Sequence, residues 1–456
     1  MIFLFIGPGF PGIAGVGHGS GIGSYLRALT FGLTKRGHEC HVVVWGMQSE
    51  VRSQKSESGS QKPSPQQLNN LTTQQLPSQD LNGIKVYLLS HSYWPIVERF
   101  MPDSRDVWNM RQMVKRLDRE YHYDWIEIQS EEGIGIGVQR DFPDKTILRA
   151  HTTLLQMVEY KGGGKAGDRV QGSGGGIINI DRQDTQDKGV GNSSCKSCTS
   201  MLRPSLSALQ RWKLRYRLWR ERRSLAMAGR ITVSSKAHAE EMKRLYPGIV
   251  EPVVVYLGVA ENRLEQKNAK ESDASARPTF LIVGTPDRRK GFERIRPVLE
   301  TYAAKYGPCR VVIVAKADEK TINGFGFSEI NQSSGVLVEW KSGLSTAELS
   351  REYQGASVYL HLARYESFGL PLIEAASHGV PIVSTRVGIA PELLNGDLEG
   401  CLVEGNAPDE VADALWQVTR DRAGIGHKIR ARFEEGYTED RMVERFLESA
   451  VSGDEP

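Results

Sequence analysis

The sequence predicts an α/β fold with two parallel-sheet domains, and three observations lead to this prediction. The chain has 456 residues, which favours two or three domains at ~150 residues per domain. Hydrophobic residues make up 39% of the chain and charged residues 25%, as in soluble globular proteins. In both halves, short apolar runs alternate with segments of helical periodicity. Strand, crossover helix and strand in this order are typical of a parallel sheet.

The amino-terminal domain is predicted over residues 1–261. It begins with a buried strand at residues 2–6, a glycine-rich loop, and the segment "SYLRALTFGLTKRGH", whose apolar residues recur at helical spacing. Further strands are predicted for "HVVVW", "IKVYLLS", "WIEIQS", "KTILRAH", "RITVSS" and "PVVVYLG". Two polar or glycine-rich segments, about 48–81 and 161–200, interrupt this pattern and are predicted to be flexible insertions.

The carboxy-terminal domain is predicted over residues 279–432, after a polar linker at 262–278 that lacks periodicity. Its predicted strands are "TFLIVG", "RVVIVAK", "GVLVEW", "SVYLHLA" and "PIVST", with helices between them, and residues 433–456 hold a final helix. Two Rossmann-like blocks of this kind should bind ligands at the carboxyl ends of their strands.

Charge and cysteine content exclude several classes of protein. A formal net charge of +3 implies no bulk attraction to nucleic acid. Five scattered cysteines do not form a disulfide framework, and the "CKSC" pair, Cys195 and Cys198, has no second pair with which to bind zinc. No apolar run reaches the ~18 residues of a membrane span, and "MIFLFIG" lacks the basic leader of a signal peptide. We therefore expect a cytoplasmic protein.

The stretch "YESFGLPLIEAASHGVP" places Glu366 beside a glycine turn and Glu374 on the predicted helix behind it. Taken alone, the pair would most simply be two surface acids. However, carboxylates are good acceptors for the hydroxyl pairs of sugars. A glycine turn before a helix also presents N–H groups to phosphate oxygens. Both features would suit a ligand that carries sugar hydroxyls and phosphates.

The longer segment "RYESFGLPLIEAASHGVPIVSTRVGIAPELL" resembles the donor-binding segment of retaining GT-B glycosyltransferases of family 4. That family has two glutamates separated by seven residues, with Phe-Gly-x-Pro after the first and Gly-x-Pro after the second. Other stretches follow in family order, among them "GSGIGSYLRALTFGLTKRGHECHVVVW", "RAHTT", "ITVSSKAHAEEM" and "VGTPDRRKG". The resemblance implies a GT-B fold, in which two Rossmann-like domains have parallel sheets facing a central cleft. It also implies an acceptor-side first domain, a donor-binding second domain, and a final helix that packs back on the first.

The resemblance also implies residue roles. Glu366 would bind hydroxyls of the donor sugar, and Glu374 would bind the ribose hydroxyls. The amides near Phe368, Gly369 and Leu370 would face the sugar and the diphosphate. His151, after the strand "KTILRA", would hydrogen-bond the sugar and help to stabilise charge, although a lone histidine at such a place is more often structural.

The diphosphate needs cations, and no DxD-type metal motif is obvious. Arg288, Arg289 and Lys290 lie at a strand-to-helix turn, where fixed charge can replace a metal; a solvated basic turn is the alternative. Thr285 stands where the family usually has an arginine, so compensation by Arg288 or Arg289 is an open question. We expect no metal and no cofactor other than the donor substrate.

The glycine-rich loop "HGSGIGSYL" precedes the first helix. Its Gly21 and Gly23 would let the backbone approach a ligand, and the helix N-terminus favours anions. A dinucleotide fingerprint would need a G-x-G-x-x-G spacing with an acid at the right distance, which is not met. The loop therefore does not indicate an oxidoreductase, and the resemblance assigns Gly21 and Gly23 to donor binding.

The sequence-based hypothesis is a retaining, metal-independent glycosyltransferase of polysaccharide biosynthesis that uses front-face attack. It would move a hexose-type sugar from a nucleoside-diphosphate sugar to a glycan or lipid-linked acceptor. An epimerase or a phosphorylase on the same scaffold would need added carboxylate bases or a pyridoxal lysine, for which the sequence offers no support. A catalytically silent GT-B module is the remaining alternative. The intact Glu366–Glu374 pair argues against it, and Thr285 argues slightly for it.

The segment "LQRWKLRYRLWRERR" predicts a basic helix with aromatic residues on one face. Trp212, Tyr216 and Trp219 are spaced at i, i+4 and i+7 among the basic residues from Arg211 to Arg223. The simpler interpretation packs the aromatic rings inward and leaves the basic residues in solvent. The alternative is a helix that lies on an anionic membrane as a peripheral contact or grips a lipid-linked acceptor.

Overall fold

The computed structural model of the chain describes residues 1–11, 21–45, 78–89, 97–161, 170–171, 177–178, 207–261, 277–317, 321, 323–327, 330 and 334–451. The chain divides into two compact units. Unit 1 comprises Met1–Val233, Ala239–Val255 and Val443–Pro456. Unit 2 comprises Ser234–His238 and Tyr256–Met442. The predicted linker lies almost entirely outside the described residues, as do Cys195 and Cys198.

Unit 1 is built on a mostly parallel sheet. Its strands are β1 (Ile2–Gly7), β2 (Glu39–Trp45), β3 (Ser78–Leu81), β4 (Ile84–Leu89), β5 (Trp125–Gln129), β6 (Thr146–Arg149), β7 (Val170–Gln171), β8 (Ile177–Ile178), β9 (Ile231–Val233) and β10 (Val253–Val254). The main sheet has the order β10-β9-β6-β5-β1-β2-β4-β3, and all neighbours are parallel except β3 and β4. Strands β7 and β8 form a separate antiparallel ribbon. Leu4 of the central strand β1 lies opposite His41 and Ile126.

Helices cover this sheet, because parallel strands are buried on both faces. They are α1 (Gly21–Lys35), α2 (Val97–Phe100), α3 (Ser104–Tyr121), α4 (Ile136–Asp141), α5 (Leu154–Lys161), α6 (Ala208–Met227) and α7 (Lys236–Leu245), of which α7 belongs to unit 1 from Ala239 onward. The apolar spacing predicted for α1 buries Leu26, Leu29 and Leu33 completely. The core of the unit is therefore formed by apolar strands and the inner faces of these helices.

The edge of the sheet holds a hairpin within the first predicted insertion. Residues 78–81 form strand β3, which pairs antiparallel with β4. The two-residue turn between them is Asn82-Gly83, with φ angles of 54° and 84°. Positive φ at both positions is the geometry of a type I′ turn, which Asn-Gly favours. The hairpin therefore follows from its turn residues, while residues 46–77 lie outside the described part of the chain.

Helix α6 differs from the simpler interpretation of its sequence. Trp212 and Trp219 are 52% and 57% exposed, whereas Arg220 is only 2% exposed. The prediction that the aromatic residues pack inward is therefore wrong for both tryptophans. Arg220 can be buried because its guanidinium group donates hydrogen bonds to Asp103 and to the carbonyl oxygens of Glu132 and Pro102.

Unit 2 has an entirely parallel sheet. Its strands are β11 (Thr279–Val283), β12 (Cys309–Val314), β13 (Val336–Lys341), β14 (Val358–His361), β15 (Ile382–Thr385) and β16 (Leu402–Val403). The order β13-β12-β11-β14-β15-β16 is that of the Rossmann fold. The strand order reverses between β11 and β14, so a crevice is expected at the carboxyl ends of these two strands.

The remaining helices complete unit 2 and close the chain. They are α8 (Phe292–Tyr306), α9 (Thr346–Gly355), α10 (Leu370–Ser377), α11 (Ala390–Leu393), α12 (Pro408–Arg420), α13 (Arg422–Gly436) and α14 (Glu439–Val451). From Val443 onward α14 belongs to unit 1, where the Phe446 ring lies 5.7 Å from that of Phe3. Throughout the described ranges, we find no helix that combines the length and apolar character needed to cross a bilayer.

Candidate functional site

Unit 2 brings four of its charged or titratable side chains together where the strand order of its sheet reverses. Glu366 follows strand β14, and Arg289 and Lys290 follow strand β11. The Lys290 ammonium group donates to Glu366 Oε1, and Arg289 Nη1 lies 3.6 Å from Glu366 Oε2. His361, the last residue of β14, has Nε2 3.3 Å from Glu366 Oε1. Three of the predicted residues thus share one cluster.

Two glycines allow the chain segments around Glu366 to come this close. Gly291 has a φ of 70°, and a Cβ atom there would lie 1.9 Å from the carbonyl oxygen of Leu362. Gly388 has a φ of 56°, and its Cβ would lie 2.2 Å from the carbonyl oxygen of Phe368 and 2.9 Å from Glu366 Cβ. Since only glycine fits both the space and the φ angle, these positions set the distance between the basic turn and Glu366.

Replacing Gly291 by alanine should destabilise the protein by about 2–4 kcal/mol, because a strained φ is added to a backbone clash. The matched control is Gly343→Ala, since Gly343 has nearly the same φ of 69° but no neighbouring atom within 4 Å. We expect the control to lose only about 1 kcal/mol. Urea denaturation of both variants measures the difference, and equal losses would show that the close approach at Gly291 contributes nothing.

Glu366 is buried, and its neighbours determine its charge. Burial by itself raises the pKa of Glu366, but the nearby Lys290, His361 and Arg289 outweigh it and hold the pKa well below the ordinary value. The carboxylate is therefore ionised at neutral pH and can only accept hydrogen bonds. It follows that His361 donates from Nε2, and burial lowers the pKa of His361 despite the attraction of Glu366. A sugar hydroxyl would meet a fixed acceptor here.

Helix α10 carries the second predicted carboxylate. Its cap residue, Gly369, has a φ of 94°, and Leu370 is its first residue. Phe368 is buried, and its carbonyl oxygen accepts from the Ile389 N–H at 2.8 Å. The first N–H groups of a helix have no partner within it and can serve anions.

The second carboxylate itself is half-buried. Glu374 accepts a hydrogen bond of 2.8 Å from the Tyr353 hydroxyl, and burial raises the pKa of Glu374, although this hydrogen bond opposes the shift. The acid is thus held in place with capacity for further hydroxyl groups. Sequence reasoning did not anticipate Tyr353.

Thr285 stands where the resembled family usually has an arginine. It is exposed and lies just after strand β11. Of the two arginines considered as replacements, Arg289 contacts Glu366, at 3.6 Å, and also lies 3.9 Å from Asp287. Its side chain is 16% exposed. Arg289 is therefore the better placed substitute for the missing arginine.

Unit 1 has its own polar cluster beside the central strands of its sheet. His151 follows strand β6, and its Nε2 lies within hydrogen-bond distance of Gln129 Oε1 at the end of β5. Gln129 Nε2 donates to Glu127 at 2.7 Å, and Tyr25 of helix α1 donates to the same carboxylate at 2.9 Å. Because the Gln129 oxygen accepts, His151 Nε2 carries the hydrogen. Burial raises the pKa of Glu127, although Arg149, Tyr25 and Gln129 oppose the shift.

The predicted glycines Gly21 and Gly23 begin helix α1 of the same unit, four and two residues before Tyr25. Gly23 is buried and Gly21 is exposed. The preceding loop, residues 12–20, lies outside the described part of the chain. Gln129, Glu127 and His361 were missed because their side chains look like ordinary strand residues in the sequence. Their positions at or near the carboxyl ends of strands were the signal that could have identified them.

Comparison with known proteins shows what the residues of this site are similar to. Residues 264–439 match the family described as "Glycosyl transferases group 1". The chain is 24% identical over 251 residues to a probable sucrose-phosphate synthase from Thermosipho melanesiensis, covering 53% of this chain and 58% of the relative. It is 23% identical over 239 residues to the O-antigen chain mannosyltransferase C of Escherichia coli, covering 50% and 62%. The chain thus spans less than two thirds of the length of either relative.

Among solved structures, the sucrose-phosphate synthase of Thermosynechococcus elongatus superposes with a TM-score of 0.65 at 17% identity, covering 98% of this chain and 97% of that one. This likeness confirms the predicted α/β, GT-B fold. The family match covers the β11–β16 sheet and the cluster of Glu366, Lys290, Arg289 and His361. Residues 264–439 are therefore similar to the glycosyl transferases group 1 family, in a chain with the GT-B fold.

Proposed function

We propose that the protein is a retaining glycosyltransferase that moves a hexose-type sugar from a nucleoside-diphosphate sugar to a glycan or lipid-linked acceptor. The observation that carries the proposal is the cluster of Glu366 with Lys290, Arg289 and His361 at the strand switch point of unit 2. The relatives' names include a mannosyltransferase and a sucrose-phosphate synthase, which favours a hexose.

The residues of unit 2 suit the parts of such a donor. Lys290 and Arg289 would neutralise the diphosphate as its negative charge grows, without a metal ion. Glu366 would accept hydrogen bonds from hydroxyls of the sugar, and Glu374 from the ribose hydroxyls. The first turn of α10, at Phe368, Gly369 and Leu370, would supply N–H groups.

The proposed chemistry uses front-face attack. The bond between the anomeric carbon and the phosphate oxygen breaks, and a bond to the acceptor oxygen forms on the same face of the sugar. The acceptor proton passes to the leaving phosphate oxygen, so no protein carboxylate acts as nucleophile. His151 of unit 1 would hydrogen-bond the sugar, with its ring orientation held by Gln129. Gly21 and Gly23 remain assigned to donor binding on the resemblance alone.

Thermal unfolding with UDP-, GDP-, ADP- and CDP-sugars tests donor binding. One nucleotide class should stabilise the wild type, by ~2.7 kcal/mol at 100 times its dissociation constant. Glu374→Ala should lose this stabilisation, because the ribose hydroxyls lose their acceptor. The control is Glu300→Ala, which removes another helix acid whose side chain is 40% exposed. If no nucleotide sugar stabilises the wild type, the catalytically silent module becomes the better hypothesis.

A further inference from the structure

Helix α6 of unit 1 buries two charged side chains on its inner face. Arg220 and Glu221 are almost completely buried. Arg220 bonds to Asp103 and two carbonyl groups, while Glu221 accepts from the Leu154 N–H at 2.9 Å and the Tyr246 hydroxyl at 2.6 Å. The buried charged groups therefore find partners within the protein, beside Leu214 and Leu225 on the same inner face.

The outer face of the same helix carries large apolar side chains. Trp212 and Trp219 are seven residues apart, so they lie about two turns from each other on one side of the helix. The Trp212 indole N–H donates to the carbonyl oxygen of Phe100 at 2.7 Å, which ties the ring to the neighbouring helix α2. The Trp219 ring lies 5.7 Å from that of Tyr216.

Further exposed apolar side chains extend this surface. We call it the tryptophan face, and its members are Val97, Phe100, Met101, Leu209, Trp212 and Trp219. Phe100 is 53% exposed and Met101 is 46% exposed. Soluble proteins rarely leave apolar side chains clustered in this way, unless the surface meets a partner or a membrane.

The charge of the tryptophan face indicates which partner it fits. Helix α6 holds seven basic residues and one acidic residue, and that acid, Glu221, is buried. Arg217 and Arg220 are occupied by Asp103, whereas Arg215 and Arg223 are exposed beside the tryptophans. The overall net charge is only +3, so this positive charge is local.

We infer that the tryptophan face seats unit 1 on an anionic lipid bilayer. Tryptophan rings are preferred at the level of the lipid headgroups, and arginines can reach the phosphates while their stems stay in apolar surroundings. Aliphatic members such as Val97 and Leu209 suit the acyl boundary of a bilayer, whereas they would not stack on nucleic-acid bases. This peripheral contact goes beyond the proposed transfer reaction and does not depend on it.

Co-sedimentation of the full chain with vesicles tests the inference. Vesicles of phosphatidylcholine with phosphatidylglycerol should bind the protein, and phosphatidylcholine alone should bind it much less. High salt should release it, because surface charges are screened. Arg215→Gln should lower the partition coefficient about fivefold, as expected for one basic residue near an anionic surface. The matched control, Arg351→Gln, removes an exposed arginine from helix α9 of unit 2 and should have no effect.

The apolar contribution has its own variants. Trp212→Ala with Trp219→Ala should abolish binding, while Leu337→Ala, at a side chain 48% exposed on strand β13, should leave it intact. Thermal unfolding shows whether the variants fold. If the double tryptophan variant does not fold, vesicle binding by Arg215→Gln tests the inference instead. Equal binding to both vesicle types, or equal losses in the control variants, would overturn the inference. So would lipid-free dimers that disappear in the double tryptophan variant, since a second copy would then occupy the face.

Discussion

Replacing Glu366 by glutamine should lower donor turnover at saturating donor by about 10²–10³-fold, the usual cost of removing one preorganised electrostatic contact. Glutamine keeps the shape of the side chain but loses the charge that Lys290, Arg289 and His361 surround. It also accepts sugar hydroxyls more weakly than a carboxylate does. The release of nucleoside diphosphate, with water as the acceptor, measures this turnover and requires no glycan or lipid acceptor in the assay.

Glu374→Gln is the matched control, since it makes the same chemical change eight residues away. Glu374 is assigned to the ribose, which is remote from the reacting bond, so its loss should raise KM more than it lowers kcat. Glu366→Gln should therefore act mainly on kcat, and Glu374→Gln mainly on KM. If the Glu366→Gln variant is folded and keeps the kcat of the wild type, Glu366 does not belong to the proposed site.

The sequence predicted the elements around Glu366 well because their constraints are local. The loop at Glu366, the helix that begins at Leu370 and the basic turn at Lys290 each depend on glycines whose positions are visible in the sequence. Gly291, Gly369 and Gly388 all have positive φ in the structure. A pattern of glycines and acids therefore encodes both the backbone path and the side chains it presents.

Other features depended on contacts between distant segments and could not be predicted. His361 and Tyr353 acquire meaning only when strand β14 and helix α9 lie beside Glu366 and Glu374. The outward direction of Trp212 follows from where α6 finds partners for Arg220. Two of them, Pro102 and Asp103, lie more than a hundred residues earlier in the chain. By contrast, residues 78–81 were predicted as part of a flexible insertion, although the dipeptide Asn82-Gly83 is a strong local turn signal that could have identified the hairpin.

Lys290→Ala should reduce kcat by about 10²–10³-fold, because Lys290 supplies fixed positive charge where the leaving diphosphate would gain negative charge. Its ammonium group contacts Glu366 in the structure, and its side chain is 17% exposed. Lys290→Arg keeps the charge and should recover part of the loss. Lys316→Ala is the control, since it removes an exposed lysine that follows strand β12 of the same sheet. If Lys290 and Arg289 act in place of a metal ion, a chelator should leave the turnover of the wild type unchanged.

The pH dependence of Lys290→Ala separates a role in binding phosphate from a role in holding Glu366 ionised. The positive charge of Lys290 is one of the interactions that keep the pKa of Glu366 low against its burial, together with His361 and Arg289. Without it the pKa of Glu366 should rise, so the variant should lose activity at a higher pH on the acid side than the wild type does. The same sign applies to stability: the contribution of a depressed carboxyl pKa is present above the ordinary value of about 4.3 and is lost as the pH falls through the folded-state pKa. If the acid limb of kcat/KM does not move while kcat falls at all pH values, Lys290 acts on the diphosphate alone. If neither the acid limb of kcat/KM nor the value of kcat changes, Lys290 has no part in the proposed reaction.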